Sequence, residues 1–448
     1  MALKERPINA DLPASQPGEA PVAAPKTPTP TKKPPAPKAP KRQRKPIPAA
    51  LKAIAGLFVL AIVFIVAAIF GGRGGGSEGT ETPAPASEAP GASAGAPAAQ
   101  TPEKLGYPAF ATANTTRVGG SDPASNAAGV ALATYPSTEP SQQPDAVTLV
   151  DAGDWRSAIA ASVLMAAPVG APVLVSEADG VPEPTAQALA ALDPPGGKAT
   201  KGVQAFAIGA ASVPSGLQTR RVGSGGGTAA AATIAALRDE LLGGPPRHIV
   251  VAPAAQPAFA MPAAAWAARS GDPILFADED KLPAPTAAAL KRHPHTPVYV
   301  LGPSSAISSD VVRQIGKLSD RVRRVSGEDP ASNAVALARY SDGGFGWNVN
   351  DPGHGFVVAS SDEPLDAAAA APLSASGAWG PLLLTESADT LPAALRGYLL
   401  DVKPGYTTDP TRAFYNHVWV IGDQEAIDVN EQAKIDELAE LAKIGGEQ

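Results

Sequence analysis

Cysteine is absent from this 448-residue chain. Disulfides, thiolate metal ligands and thiol catalysis are therefore excluded together. Aromatic residues make up only 5%, so any core must be built mostly from aliphatic side chains and alanine. There are five histidines, His248, His293, His295, His354 and His417. Only His293-Pro294-His295 brings two of them close in sequence, and a proline-separated loop pair is not a metal-ligand pattern. What the chain has in excess is Gly (44) and Pro (49), unevenly spread. Charge is uneven too. Residues 1–52 carry a balance of +8, which leaves −15 for the rest of a chain whose net charge is −7. A basic segment and an acidic one on either side of an apolar run is the asymmetry of an inserted membrane protein.

That run extends from Ala53 to Gly72 without a charged residue. Twenty residues at about 1.5 Å rise span about 30 Å, the hydrocarbon thickness of a bilayer. Lys41-Arg42-Gln43-Arg44-Lys45 and Lys52 precede it, while Glu78, Glu81 and Glu88 follow. The positive-inside rule puts the N-terminus in the cytoplasm. A cleaved signal peptide fits less well, because Phe70-Gly71-Gly72-Arg73 is a poor cleavage site and fifty residues precede the run. The expected organisation is a disordered Pro-rich cytoplasmic tail (1–50), a transmembrane helix (51–72) and a disordered linker (73–113). The tail has thirteen prolines and almost no aliphatic clusters, so it lacks the means to bury a core. The linker has coil dimensions of roughly 35 Å and a taut reach of roughly 135 Å.

Beyond the linker the chain repeats itself three times, with expected units at 114–218, 219–322 and 323–445. Each opens on an Arg-Val element: Arg117-Val118-Gly119-Gly120, Arg221-Val222-Gly223-Ser224 and Arg324-Val325-Ser326-Gly327. The first and third continue as Asp122-Pro123-Ala124-Ser125-Asn126-Ala127 and Asp329-Pro330-Ala331-Ser332-Asn333-Ala334. An Ala-rich helix, an apolar strand and a second small-residue helix follow, leading to Pro172-Val173-Leu174-Val175, Pro273-Ile274-Leu275-Phe276 and Pro381-Leu382-Leu383-Leu384. Then comes a helix opening on Leu-Pro or Val-Pro, and a strand ending at Gly209, Gly302 or Gly422. Val429 to Ile444 reads as a last helix. Short continuous apolar strands alternating with helices predict an α/β fold, three tandem βαβα units with small parallel sheets.

This order of elements resembles the cell-wall-binding repeat family, type 2, of Gram-positive wall proteins, over residues 114–445. The resemblance implies three units in a pseudo-three-fold arrangement. It also implies non-covalent attachment to an anionic wall polymer or peptidoglycan-associated glycan, near Pro172, Val173, Leu174, Pro273, Ile274, Leu275, Pro381, Leu382 and Leu383. The family's helix aspartate is matched by Asp366, whereas Ser157 and Phe259 occupy that position in the other two copies. In parallel sheets ligands approach past the strand C-termini. The loops there are acidic here (Asp151 to Asp154, Asp278-Glu279-Asp280, Asp362-Glu363), so an anionic polymer needs a local Arg/Lys pocket or bridging cations. The expected protein is a non-catalytic, single-pass membrane protein with an extracellular binding region. No cofactor, metal site or nucleic-acid partner is expected, only wall polymer and the lipid bilayer. The alternatives are a protein-interaction scaffold and a receptor for a small extracellular ligand. The run Gly223-Ser224-Gly225-Gly226-Gly227 offers only a weak phosphate-nest signal.

Overall fold

The computed structural model describes residues 110–223, 225–375 and 379–445. The tail, the apolar run at 51–72 and the linker as far as residue 109 lie outside these. Among the described residues no helix is long and apolar enough to cross a membrane.

The chain starts with β1 (Phe110–Ala111), β2 (Thr115–Val118) and α1 (Pro123–Thr134), followed by β3 (Val147–Asp151) and α2 (Trp155–Ala161). Next are β4 (Val173–Ser176), α3 (Glu183–Leu192), β5 (Ala205–Ile208) and β6 (Thr219–Val222). The second stretch has α4 (Gly227–Leu242), β7 (Ile249–Pro253), α5 (Pro257–Ala260), α6 (Pro262–Ser270) and β8 (Ile274–Ala277). It ends with α7 (Ala284–Arg292), β9 (Val298–Leu301), α8 (Ser309–Ile315) and β10 (Val322–Val325). The third has α9 (Pro330–Arg339), β11 (Gly355–Ser360), α10 (Pro364–Ser374), β12 (Trp379–Thr385) and α11 (Ala393–Asp401). It closes with β13 (Gly405–Tyr406), β14 (His417–Ile421), α12 (Val429–Ala439) and β15 (Ala442–Lys443). The mixed α/β architecture with small parallel sheets and repeated units is as expected. Two local readings are corrected. β1 lies within the stretch assigned to the linker, and the last helix stops at Ala439, after which β15 pairs with β13.

A larger correction concerns where each repeat begins. The sheets run β4-β3-β5-β6, β8-β7-β9-β10 and β12-β11-β14-β2-β1. Each Arg-Val strand therefore closes the sheet before it. β6 pairs with β5, β10 with β9, and β2, the first of the three, pairs in parallel with β14 of the last repeat, Val118 opposite Ile421. The helix that follows each Arg-Val strand then packs on the next sheet, α1 against β4, α4 against β8 and α9 against β12. Sequence continuity hides this because strand and helix are adjacent in the chain, while the partner of an edge strand is fixed only in three dimensions. The expected boundaries at 218/219 and 322/323 each fall one strand too early. A fragment 219–322 accordingly carries an unpartnered β6 and lacks most of β10, whereas 225–327 keeps all four strands of its sheet. Urea unfolding followed by circular dichroism should give the shifted fragment the higher midpoint; the reverse order would contradict the strand pairing.

The crossover from one sheet to the next is tight. Gly119 sits at φ +116°, and a Cβ there would lie 2.1 Å from Asn126 Oδ1, so only glycine fits. Asp122 caps α1 and Asp329 caps α9 with a full capping box. Among the described residues the α4 N-terminus has no local side-chain cap; Gly227 N donates to Asp154 Oδ2 at 2.7 Å, a carboxylate from the first repeat. The glycine run is thus a helix start capped by Asp154, not a free phosphate nest. The second helices of the repeats meet at the centre: α6 and α10 pack on each other and on α2 and the 3-10 turn Ser162–Met165. Met165, Ala268 and Ala371, one from each repeat, form a buried cluster. Alanine-rich sequences suit these helices, since every residue of α10 from Leu365 to Ser374 is buried and small side chains let backbones approach. The main apolar core runs continuously through all three repeats, from Val118 to Ile421.

Candidate functional site

The nine strand residues suggested for polymer contact all lie in the interior. Val173, Leu174, Ile274, Leu275, Leu382 and Leu383 are at most 1% exposed, and Pro172, Pro273 and Pro381 are buried beside them. The carbonyls of Pro172 and Pro273 accept ladder hydrogen bonds from Thr148 N (2.8 Å) and Val250 N (3.0 Å). Continuous Pro-aliphatic runs are what a parallel strand covered on both faces requires. These residues hold the sheets together and offer a polymer no surface, which corrects the direct-contact reading.

Asp366 is placed differently. It lies in the first turn of α10, past the C-terminal end of β11, and lines a recess of about 290 Å³ where repeats three and one interlock. Asn126 of α1 donates from Nδ2 to Asp366 Oδ1 at 2.8 Å, while Gly120 N donates to Asn126 Oδ1 at 2.8 Å. Asp366 is fully buried, and its Oδ2 has no hydrogen-bond partner among the described residues. Burial pushes this carboxyl up to about 7; the Asn126 hydrogen bond pulls it down, and Glu363, Asp122 and Asp423 push it further up. Among the described residues six carboxylates line the recess (Asp122, Asp362, Glu363, Asp366, Asp423, Glu425) and no Lys or Arg does. Such a recess rejects anions.

The corresponding positions in the other junctions follow the same geometry with different chemistry. Asn333 Nδ2 donates to the Phe259 carbonyl at 3.3 Å, where Asn126 meets Asp366. Ser157 donates from Oγ to Asp154 Oδ2. The arginine of each Arg-Val element is a clamp within the fold. Arg117, 3% exposed, donates to the carbonyls of Gly422 (2.9 Å), Asp423 (2.5 Å) and Ile427 (2.6 Å), and from Nε to Gln432 Oε1 (2.9 Å). Arg324 does the same for Gly302, Pro303 and Ile307, and Arg221 reaches the Ala211 carbonyl.

A second, larger recess of about 820 Å³ opens at the opposite, N-terminal ends of the β7 and β8 strands. Arg238, Arg247 and Arg269 line it, with His248, His354, Trp266 and Trp347; among the described residues Asp272 is its only lining carboxylate. Sequence reasoning missed this place, because it assembles from α4, α6 and the segment 340–354 of repeat three. The available signal was local: Tyr340, Phe345 and Trp347 cluster in a chain poor in aromatics. That segment is firmly seated. Phe345 stacks on Tyr299 (3.6 Å, 3°), Trp266 meets Trp347 edge-on (5.6 Å, 81°), and Tyr299 Oη donates to Asp342 Oδ2 at 3.0 Å. His293 and His295 bond separate carboxylates, Asp239 and Asp320, and no group of three or more metal-ligating side chains occurs among the described residues.

Residues 226–312 and 324–430 match the family model of cell wall binding domain 2 (CWB2). Two segments of the chain are thus similar to cell wall binding domain 2. The match covers the second and third repeats and bears out the resemblance read from their motifs. Among solved structures, Cwp6 from Clostridium difficile superposes with a TM-score of 0.57 at 20% identity, over 73% of this chain and 48% of that one. Cwp8 from the same organism gives 0.54 at 19% identity, over 73% and 52%. These likenesses show a shared fold, and this chain spans about half of each of those proteins. A search of curated proteins gives no match. Cell wall binding repeats are binding modules and imply a surface or extracellular location.

Proposed function

We propose that this chain is a membrane-tethered, non-catalytic protein whose extracellular repeats attach non-covalently to an anionic cell-wall polymer. The observation that carries this reading is the cell wall binding domain 2 match over repeats two and three. The charge split supports the tether: +8 before the apolar run at 53–72 and −15 after it. Asp366, fully buried with its Oδ2 sealed from solvent, offers the polymer no contact and in this reading belongs to the junction between repeats three and one. Full-length protein mixed with purified Gram-positive walls should sediment with them, and retention should fall as salt rises. Protein left wholly in the supernatant at low salt would refute wall attachment.

A further inference from the structure

We infer that the arginine-lined recess at the N-terminal ends of β7 and β8 is where an anionic saccharide, bearing phosphate or carboxylate, is held directly and without a metal bridge. The inference rests on the wall-attachment reading and gives it a place on the molecule. Four observations converge there.

The first is charge. The chain beyond residue 52 carries −15, yet this recess presents Arg238, Arg247 and Arg269 against one carboxylate. Arg220, Arg321 and Arg339 are each paired with an acidic group. Arg247 and Arg269, by contrast, are exposed and have no ion pair or hydrogen bond among the described residues. The nearby carboxylates are already engaged. Asp272, 1% exposed, accepts from His248 N, His248 Nδ1 and Trp266 Nε1, all at 3.0 Å. Asp239 pairs with Arg238 and His293, and Asp351 lies 3.3 Å from the lining residue His354. Guanidinium groups are suited to phosphate and carboxylate because their paired N–H donors match two oxygens at once.

The second observation is the aromatic wall. Trp347 is half-buried and lines the recess, braced edge-on by Trp266. A pyranose has an apolar C–H face, and an indole wall beside arginines provides for both faces of an anionic sugar. Third, the volume, about 820 Å³, falls in the range of about 300–1,000 Å³ typical of pre-formed ligand sites. Fourth, the floor is rigid. Arg238 Nε donates to the Gly271 carbonyl at 2.7 Å, and Tyr398 Oη holds the Val349 carbonyl at 3.0 Å. Ala167 of repeat one and Trp347 of repeat three complete the walls, so the site exists only when the repeats interlock.

Titrating full-length protein with glucose 6-phosphate, glucuronate and glucose, read by tryptophan fluorescence, tests the assignment. A saturable change is expected with at least one anionic sugar and none with glucose, and the responding anion identifies the phosphate or carboxylate source. Arg247→Glu/Arg269→Glu should weaken that binding at least tenfold with an unchanged melting temperature, because neither side chain has a structural partner. An equal response to glucose, no response to either anion, or undiminished binding by the double variant would overturn the assignment, even if walls still retain the protein. Sugar binding that is lost in the double variant, in a protein that walls fail to retain, would uphold the recess and refute only wall attachment.

Discussion

Replacing Asp366 with Asn is expected to raise the melting temperature at pH 8 and leave it nearly unchanged at pH 4. The carboxyl is fully buried, and desolvation lifts it from its ordinary 3.8 to about 7. The folded state therefore holds a proton that the unfolded chain has released between those values. Stability due to the neutral form is fully present below about pH 4 and is lost as pH rises through 7. At about 1.4 kcal/mol per pH unit the cost at pH 8 is on the order of 2–4 kcal/mol, or several degrees. Asparagine keeps an acceptor for Asn126 Nδ2, as in the 2.8 Å bond that Asp366 makes, but carries no charge to bury. Calorimetric scans of both proteins at the two pH values check this. An equal difference at pH 4 and pH 8 would mean that the carboxyl does not titrate as its surroundings dictate.

Arg117→Ala should cost roughly 3–5 kcal/mol, because it leaves three carbonyls and the Gln432 side chain without their donor inside the fold. Burial lowers the pKa of this guanidinium, opposed by Asp423 and Asp428, so the site tolerates the charge because partners surround it. Arg117→Lys should recover only part of the loss, since an ammonium cannot reach the same fork of acceptors. The damage should appear in the third repeat, where β2 completes the sheet with β14, although Arg117 stands at the start of the folded region. Amide exchange gives the readout: faster exchange at Val418 to Ile421 with little change at Ile249 to Pro253. Uniform acceleration, or none, would argue against closure of the ring of repeats by its first strand.

Much of this architecture was legible from short runs of residues. Val147 to Val150, Ile249 to Ala252 and Phe356 to Ala359 read as buried parallel strands because nothing charged interrupts them, and the Leu-Pro and Val-Pro pairs mark helix starts at Pro182, Pro283 and Pro392. Asp366 was legible as a singular position because its counterparts Ser157 and Phe259 cannot carry charge. Its environment was not, since the group it touches, Asn126, is 240 residues away in sequence. The Pro-aliphatic runs misled for a simple reason. A repeated motif marks what each unit needs, and here that need is core packing. The arginine recess left the faintest trace, because Arg247, Arg269 and Trp347 look like ordinary surface residues until the segment 340–354 folds over the second sheet.

The most direct test compares retention of the full-length protein by two preparations of the same walls, one intact and one stripped of its anionic secondary polymer by acid cleavage of phosphodiester links. Intact walls should retain the protein strongly, stripped peptidoglycan should lose nearly all of it, and Arg247→Glu/Arg269→Glu should show a matching loss on intact walls. Undiminished retention by bare peptidoglycan would contradict attachment through the anionic polymer.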